Sequence, residues 1–514
     1  MDVRKLIRNK RSRLRRGLRP RVLDLFAGCG GLSLGFQRAG FDIVAAVEHD
    51  PVAIQTHARN FSGTTHPHFA AHSEPRDITQ VEPASLLDSL HLRGNPENAI
   101  DVIIGGPPCQ AFARVGRAKL REIDQHPEAF TQDPRSNLYL RYLQYVQELM
   151  PLALLIENVP DVMNFAGQNL AEEICENLKQ IGYRAGYTLL NAAYYGVPQM
   201  RDRMFLIAFR DELDLQVQFP APTHWVDLPP GYTGSRHVAL RVLIENGHRL
   251  DLRQLPLPGL EPAEQGFIDP PSPDPQLLPA VTVENALADL PPIMAQQLHD
   301  AGHLKRGTRR FVELTPYRND VEPTRFAADM RNWPRFKNKQ GVRDHVIRSL
   351  PRDYRIFARM QPGDQYPQAH ALAKSLCEEE RRRRQITVDS AEHELLKSAM
   401  IPPYDPGKFP NKWRKLEADL PSRTLMAHIG KDTYSHIHYD SQQARTISVR
   451  EAARLQSFPD GFEFAGTMNP AFRQIGNAVP PLLSCALAKT IRRQLNKARA
   501  AKRGSRRTRT AATA

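Results

Sequence analysis

The 514-residue chain exceeds what one hydrophobic core organises, so two domains, or one domain with a large insertion, are expected. No run of 18 apolar residues occurs, and the opening MDVRKLIRNKRSRLRRGLRP lacks the apolar core of a secretory signal, so a soluble intracellular protein is expected and membrane readings drop out. The net charge of +14 sits at the ends: residues 1–20 hold nine Lys/Arg against one acid and residues 489–514 hold ten against none, leaving the 468 residues between them at −4.

Such ends read either as contacts with a polyanion, most simply nucleic-acid phosphates, or as solvated disordered tails, and charge alone does not choose. The five cysteines, Cys29, Cys109, Cys175, Cys377 and Cys485, form no CxxC pair, which argues against a disulfide framework and a thiolate zinc site. No metal is expected.

From 21 to about 210, short apolar runs alternate with longer amphipathic segments, the pattern of βαβ units and a parallel sheet. Strands are predicted at RVLDLF (21–26), DIVAAVE (42–48), DVIIGG (101–106), LALLIEN (152–158), RAGYTLLN (184–191) and RMFLIAF (203–209). Helices are predicted between them at 32–39, 51–60, 136–149 and 170–181. The proline-dense text of 220–295 (FPAPTHW, DLPPGY, LPLPGLEP) reads as loops with little regular structure and marks a boundary. Residues 300–440 mix basic and aromatic residues around one charge block, EEERRRR (378–384). Order returns near 446, with a helix starting about Ser448 (SVREAARLQSF) and a terminal helix from about Pro480. In the latter Leu482, Leu483, Ala486, Leu487 and Ile491 define one buried face, expected to pack back on the first domain.

DLFAGCGGLSLGF (24–36) follows a strand and opens a helix, so Gly28, Gly30 and Gly31 let the backbone turn sharply and approach a nucleotide-like cofactor. The spacing is not the GxGxxG of dinucleotide folds, which disfavours a nicotinamide-dependent enzyme; a glycine turn can also be structural only. Glu48, ending the next strand, is placed to meet ribose hydroxyls, and Asp77 in RDIT to meet an adenine amino group. Taken singly, either acid reads first as a solvated loop residue or a cap.

Cys109, in GGPPCQAFARVGR (105–117), lies just past the C-terminal end of a predicted parallel strand, the edge where open α/β sheets bind ligands. A structural cysteine is usually a small buried hydrophobe and belongs inside the apolar run, so its position favours a nucleophile. Glu157 ends LALLIEN and emerges at the same edge; partial desolvation favours its protonated form and suits it to proton donation, a loop acid being the plainer alternative. Arg201 and Arg203, in VPQMRDRMFLI, could orient an anionic or carbonyl-bearing substrate through planar donors or be ordinary surface charge.

The ordered series DLFAGCGGLSLGF, Glu48, Asp77, GGPPCQ, Glu157-Asn158-Val159, QMRDR and RQIGNAVPP (473–481) resembles the cytosine-5 DNA methyltransferase family. The matches span roughly 20–210 and 415–495. The resemblance implies a Rossmann-like, S-adenosyl-L-methionine-dependent α/β domain with a second, smaller, irregular target-recognition domain. It implies that the Cys109 thiolate adds to C6 of a flipped-out cytosine in double-stranded DNA while Glu157 engages N3 and the exocyclic amine, with Arg201 and Arg203 holding the base and the active-site loop. The cofactor is expected along Phe26, Gly28, Gly30, Gly31, Glu48, His49, Asp77, Ile78 and Pro108, with Asn477 and Val479 completing the pocket.

The domain plan that follows is a basic tail (1–20), a catalytic and cofactor-binding domain (21–210), a target-recognition domain (211–415), a C-terminal segment completing the catalytic domain (416–495) and a second basic tail (496–514). A sequence-specific enzyme of the bacterial or phage restriction-modification type is expected, cytoplasmic and nucleoid-associated. It would be a monomer whose cognate restriction endonuclease, if present, forms no stable complex with it. Two departures stand out: Ala111-Phe112-Ala113 lacks the serine that often follows the family's PCQ, and Met200 replaces a frequent basic residue. An RNA methyltransferase with the same machinery and a catalytically silent DNA-binding regulator are the competing readings; retention of Cys109, Glu157, Arg201 and Arg203 together speaks against the second.

Overall fold

Six apolar runs pair into one sheet: β1 (Arg21–Leu25), β2 (Asp42–Val47), β3 (Val102–Gly105), β4 (Ala153–Asn158), β5 (Tyr183–Asn191) and β6 (Asp202–Arg210), in the order β2-β1-β3-β4-β6-β5. The computed structural model describes residues 2–92, 95–108, 136–165, 167–245, 266–304 and 313–509. Contacts divide the chain into one unit of Met1–Gly196, Arg201–Pro279 and Ala478–Ala514, which holds the whole sheet, and another of Val197–Met200 and Ala280–Asn477. These divisions fall at 279/280 and 477/478, where the domain plan drawn from composition had 210/211 and 415/416.

The strands lie within a residue or two of their predicted spans because strands covered on both faces are continuous apolar runs; β3 is wholly buried, and so is β4 except at Glu157. The expected parallel sheet is corrected at one strand. β1 pairs parallel with β2 and β3, and β3 with β4, whereas β6 runs antiparallel to both its neighbours, with Glu157 opposite Phe205 and Asn191 opposite Asp202. An apolar run carries no direction, but the short link between Asn191 and Asp202 is too brief for a parallel crossover. As a result β6 starts at the edge where β4 ends.

The N-terminal stretch expected as a tail is a docked helix, α1 (Val3–Arg15), capped by Asp2 through the Lys5 N–H (3.1 Å). It buries Leu6, Ile7 and Lys10. The Lys10 ammonium donates to the carbonyls of Ile100 (2.5 Å), Leu149 (2.8 Å) and Met150 (2.8 Å), and Arg13 pairs with Asp101. Leu149 ends a helix, so Lys10 satisfies carbonyls that helix termini leave open. Burial pushes the Lys10 ammonium well below its ordinary pKa.

Helices α2 (Gly31–Arg38), α3 (Pro51–Phe61), α4 (Ser136–Leu149) and α5 (Leu170–Gln180) match the predicted ones closely. α3 shows why: Asp50 accepts from the N–H groups of Val52 (2.8 Å) and Ala53 (3.0 Å), and Pro51 occupies the first helical position. The loop expectation for 220–295 is corrected by α6 (Pro230–Glu245), whose leading proline is compatible with a helix start. Its Leu240 and Leu243 join the main core, and the Val238 carbonyl accepts from the Asn164 amide (2.7 Å). The terminal helix α7 (Pro481–Arg509) packs on α2 as expected, but of the predicted face only Leu483, Leu487 and Ile491 are buried while Leu482 and Ala486 are partly exposed; the Ser484 hydroxyl donates to the Leu32 carbonyl (2.7 Å).

In the second unit the helix Val449–Leu455 begins with a reciprocal cap, in which Ser448 Oγ accepts from the Glu451 N–H (3.1 Å) and Glu451 accepts from the Ser448 N–H (2.7 Å). The EEERRRR block lies at the end of the helix Tyr366–Arg383, where Glu378 pairs with Arg381 and Arg382, and Glu380 with Arg383 and Arg384. Trp413 stacks on Tyr434 (4.6 Å between ring centres) in an aromatic core with Phe357 and Tyr366. Arg454, fully buried, is held between Asp289 (2.9 Å) and Asp460 (2.5 Å). Among the described residues no helix is long and apolar enough to cross a membrane.

Candidate active site

The C-terminal ends of β1 and β2 form the first half of the site. After Leu25 the chain passes through left-handed backbone at Phe26 (φ 60°), Gly28 (54°) and Gly30 (96°) before α2 opens at Gly31. A non-glycine residue in this region is strained, so Phe26 is held there by its surroundings. A Cβ on Gly28 would meet nothing within 4 Å, so the turn leaves open space above it. One on Gly30 would strike the Phe61 ring and one on Gly31 the Val479 carbonyl oxygen. The second contact brings the C-terminal segment to the turn.

Glu48 is buried with each carboxylate oxygen accepting a backbone N–H, from Gly28 (2.8 Å) and Asp50 (2.8 Å). The exposed His49 ring nitrogen lies 3.1 Å from the same carboxylate, and its hydrogen bond to Glu48, aided by the negative charge, raises the imidazole pKa. The Arg76 N–H donates to the Glu48 carbonyl (2.8 Å), which places the RDIT stretch beside the β2 end. There Asp77 is exposed and accepts from the Thr79 N–H (2.9 Å) and hydroxyl (2.8 Å), while Ile78 is buried. Phe26, Gly28, Gly30, Gly31, Glu48, His49, Asp77, Ile78 and Val479 thus gather around one sheet edge. Asn477 belongs to the second unit, where it is exposed.

The ends of β3 and β4 with the start of β6 form the second half. Beyond Gly105 the chain runs through Gly106, Pro107 and the exposed Pro108; Cys109 and the rest of AFARVGR lie outside the described residues. The buried Asn158 amide donates to the Pro107 carbonyl (2.9 Å), and a Cβ on Gly106 would come within 2.9 Å of Glu157 Oε2. The segment leading to Cys109 therefore lies against the Glu157 carboxylate. Glu157 Oε1 pairs with Arg203 Nε at 2.9 Å, and Arg203 also donates to the Asp202 carbonyl (2.7 Å). Arg201 is buried beside the same two charges.

Burial lifts the Glu157 carboxyl above its ordinary pKa; the positive charges of Arg203 and Arg201 oppose this and do not overcome it. Burial likewise pushes the Arg201 guanidinium well down and the Cys29 and Cys175 thiols up, so those two buried cysteines are held as thiols.

Three features escaped the sequence reading. Asp24 in β1 is buried and accepts from the Ser33 hydroxyl (2.6 Å), itself 3.1 Å from His57 Nε2. Burial raises Asp24 to about 7 and lowers His57 to about 3, so a neutral imidazole and a readily protonated acid underlie the glycine turn. The second is the Asn158 link; the third is Arg236 of α6, which reaches Asp202 (3.1 Å). An acid inside an apolar strand, as in RVLDL, was the available signal for the first.

Residues 20–240 and 314–493 match the family model described as C-5 cytosine-specific DNA methylase. The chain belongs to this family. It is a DNA cytosine-5 methyltransferase, and its α/β sheet is the expected Rossmann-like methyltransferase fold. The methyltransferase is 37% identical over 478 residues to M.OihORF3336P of Oceanobacillus iheyensis, covering 93% of this chain and 96% of that one. It is 32% identical over 495 residues to the type II methyltransferase M.AgeI of Thalassovita gelatinovora, covering 92% and 99% respectively. The fold is shared with the crystal structure of a protein encoded within an Escherichia coli prophage, at a TM-score of 0.56 and 23% identity over 93% of this chain and 99% of that one.

Proposed function

We propose that this methyltransferase acts on C5 of a cytosine rotated out of duplex DNA, through a covalent Cys109 adduct and with S-adenosyl-L-methionine as methyl donor, in a restriction-modification system like those of the type II enzymes it resembles. The observation that carries the reading is the half-buried Glu157, paired with Arg203 at 2.9 Å and lying against the segment that leads to Cys109.

The turn suits a nucleotide-bearing cofactor. Open space above a left-handed Gly28, a buried Glu48 whose oxygens keep spare lone pairs, and an exposed Asp77 are compatible with ribose and adenine contacts. S-adenosylmethionine, when bound, supplies an electrophilic methyl carbon. The protein must make C5 nucleophilic. Bond formation between the Cys109 thiolate and C6 moves the ring's electron pair toward N3, where the raised pKa of Glu157 lets it hold a proton. Once C5 carries the methyl group, loss of the C5 proton lets the sulfur–C6 bond break and the aromatic ring return. Arg203 fixes the carboxyl's orientation throughout. Because C5 and C6 are inaccessible within a stacked duplex, the base must be extruded. Reading of the target sequence is assigned to residues 280–415 of the second unit, whose basic and aromatic side chains suit groove and phosphate contacts.

Incorporation of labelled methyl groups into duplex DNA tests the assignment, and Cys109→Ser is expected to abolish it with the fold intact. A duplex bearing 5-fluorocytosine at the target position has no C5 proton to lose, so it should remain attached to the wild-type protein through denaturation. Undiminished transfer by Cys109→Ser would falsify the covalent step, and DNA binding with no transfer by the wild type would favour the silent regulator.

A further inference from the structure

α1 docks at the edge of the sheet opposite the candidate active site. Its anchors, Ile100, Asp101, Leu149 and Met150, precede β3 and β4, whereas the glycine turn, Pro107 and Glu157 follow the strands. A six-residue strand puts these edges roughly 20 Å apart. At 100° per residue, the buried Leu6, Ile7 and Lys10 occupy one arc of α1, and Arg4, Lys5, Arg8 and Arg15 occupy the opposite, exposed arc, which the exposed Arg16 and Arg19 extend. Asp2 is the one acid in the first twenty residues, and Glu212, which feels the Arg4 charge, is engaged by Arg210 (2.7 Å).

The other basic end comes to the same place. Arg11 donates to the carbonyl of Ala498 in α7, next to the exposed Lys497, and the sequence that follows, to the end of the helix at Arg509, carries six further Lys/Arg and no acid. The N-terminal basic stretch and the start of the C-terminal one therefore meet in the first unit, remote from the chemistry.

We propose that this surface binds the phosphate backbone of a second segment of duplex DNA, distinct from the segment presented to the active site. Charge complementarity selects a polyanion. A membrane surface is disfavoured because the apolar face of α1 is already spent on the protein core and cannot insert. DNA is favoured over RNA because the enzyme's own substrate keeps it among duplex. One short duplex cannot serve both edges, since DNA is stiff over about 150 bp and does not fold back within a binding site. The function is to hold the enzyme on DNA while the active site samples another stretch. The proposal does not depend on the Cys109 mechanism.

The test is capture in trans: wild-type protein bound to a bead-linked duplex should retain a labelled second duplex. R4E/K5E/R8E should lower that retention at least tenfold and reduce the log–log salt slope by about 2.7, at about 0.9 per phosphate contact. R4K/R8K should preserve it, because phosphate attraction needs charge and not guanidinium geometry. Methylation of a duplex of about 20 bp should be unchanged in all of these variants. If the triple variant unfolds α1, R16E/R19E, beyond the helix, gives the same readout. The idea is overturned if retention survives the charge reversals, if short-duplex methylation falls in step with retention, or if RNA or anionic vesicles are captured in place of duplex.

Discussion

Replacing Arg203 with methionine isolates the pair on which the candidate site is built. At 2.9 Å and an effective dielectric of 20, the attraction between Arg203 and Glu157 amounts to about 6 kcal/mol. The side chains are 14% and 13% exposed, and Arg201 remains behind as a second cation, so a loss of about 3 kcal/mol is expected at pH 8. The loss should depend on pH. Burial already raises Glu157, and removing Arg203 raises it further, so the folded variant binds a proton more tightly than the unfolded chain. A group raised in the folded state contributes stability that is complete below its unfolded pKa, near 4.5, and lost as pH climbs through the folded value. Arg203→Met should thus approach wild-type stability near pH 5 and fall away toward pH 8. Urea unfolding across that range measures it, and Glu157→Gln combined with Arg203→Met should flatten the dependence. An equal loss at both pH values, or a double variant that tracks the single one, would show that the two groups are not coupled.

Lys10→Met removes three hydrogen bonds to carbonyls while recovering the cost of a buried ammonium, for a net loss of about 2 kcal/mol readable as a lower Tm. Because burial lowers Lys10, the unfolded chain binds the proton more tightly and wild-type stability rises with pH below 10.5, a rise the variant should lack. Asp24→Asn should abolish a stability decrease that spans pH 3.8 to about 7, worth about 4 kcal/mol at most, in pH-dependent unfolding. Gly31→Ala drives a methyl group into the Val479 carbonyl and should weaken S-adenosylmethionine binding in calorimetry more than it lowers Tm.

What could be read in advance was whatever a local pattern encodes. The strands of the first unit, the glycine turn and the helix starts near Pro51 and Ser448 each depend on a few adjacent residues. The misses depend on partners far along the chain. The helix α1 read as a tail because six other basic residues mask its buried stripe of Leu6, Ile7 and Lys10, and nothing local announces that Ile100 and Leu149 await a donor. α6 was hidden by the prolines before it, although a proline at the first helical position is harmless. The Asp24, Ser33 and His57 chain spans three separate elements, and only the oddity of an acid within a strand hinted at it.

The direction of β6 decides whether the site exists. In the proposed mechanism Glu157 needs burial to carry a proton and a cation to fix its orientation, and these come from different strands. β4 supplies the burial, with every other residue of the strand covered. Were β6 parallel to β4, its far end would reach this edge, delivering Arg210 and leaving Arg203 seven residues, or roughly 23 Å, away. Arg210 instead sits at the opposite edge, bound to the Ile181 carbonyl (3.1 Å) and Glu212. The short β5–β6 connection enforces the antiparallel course, so the spacing of QMRDR after β5, and not the arginines alone, is what places Arg203 on Glu157.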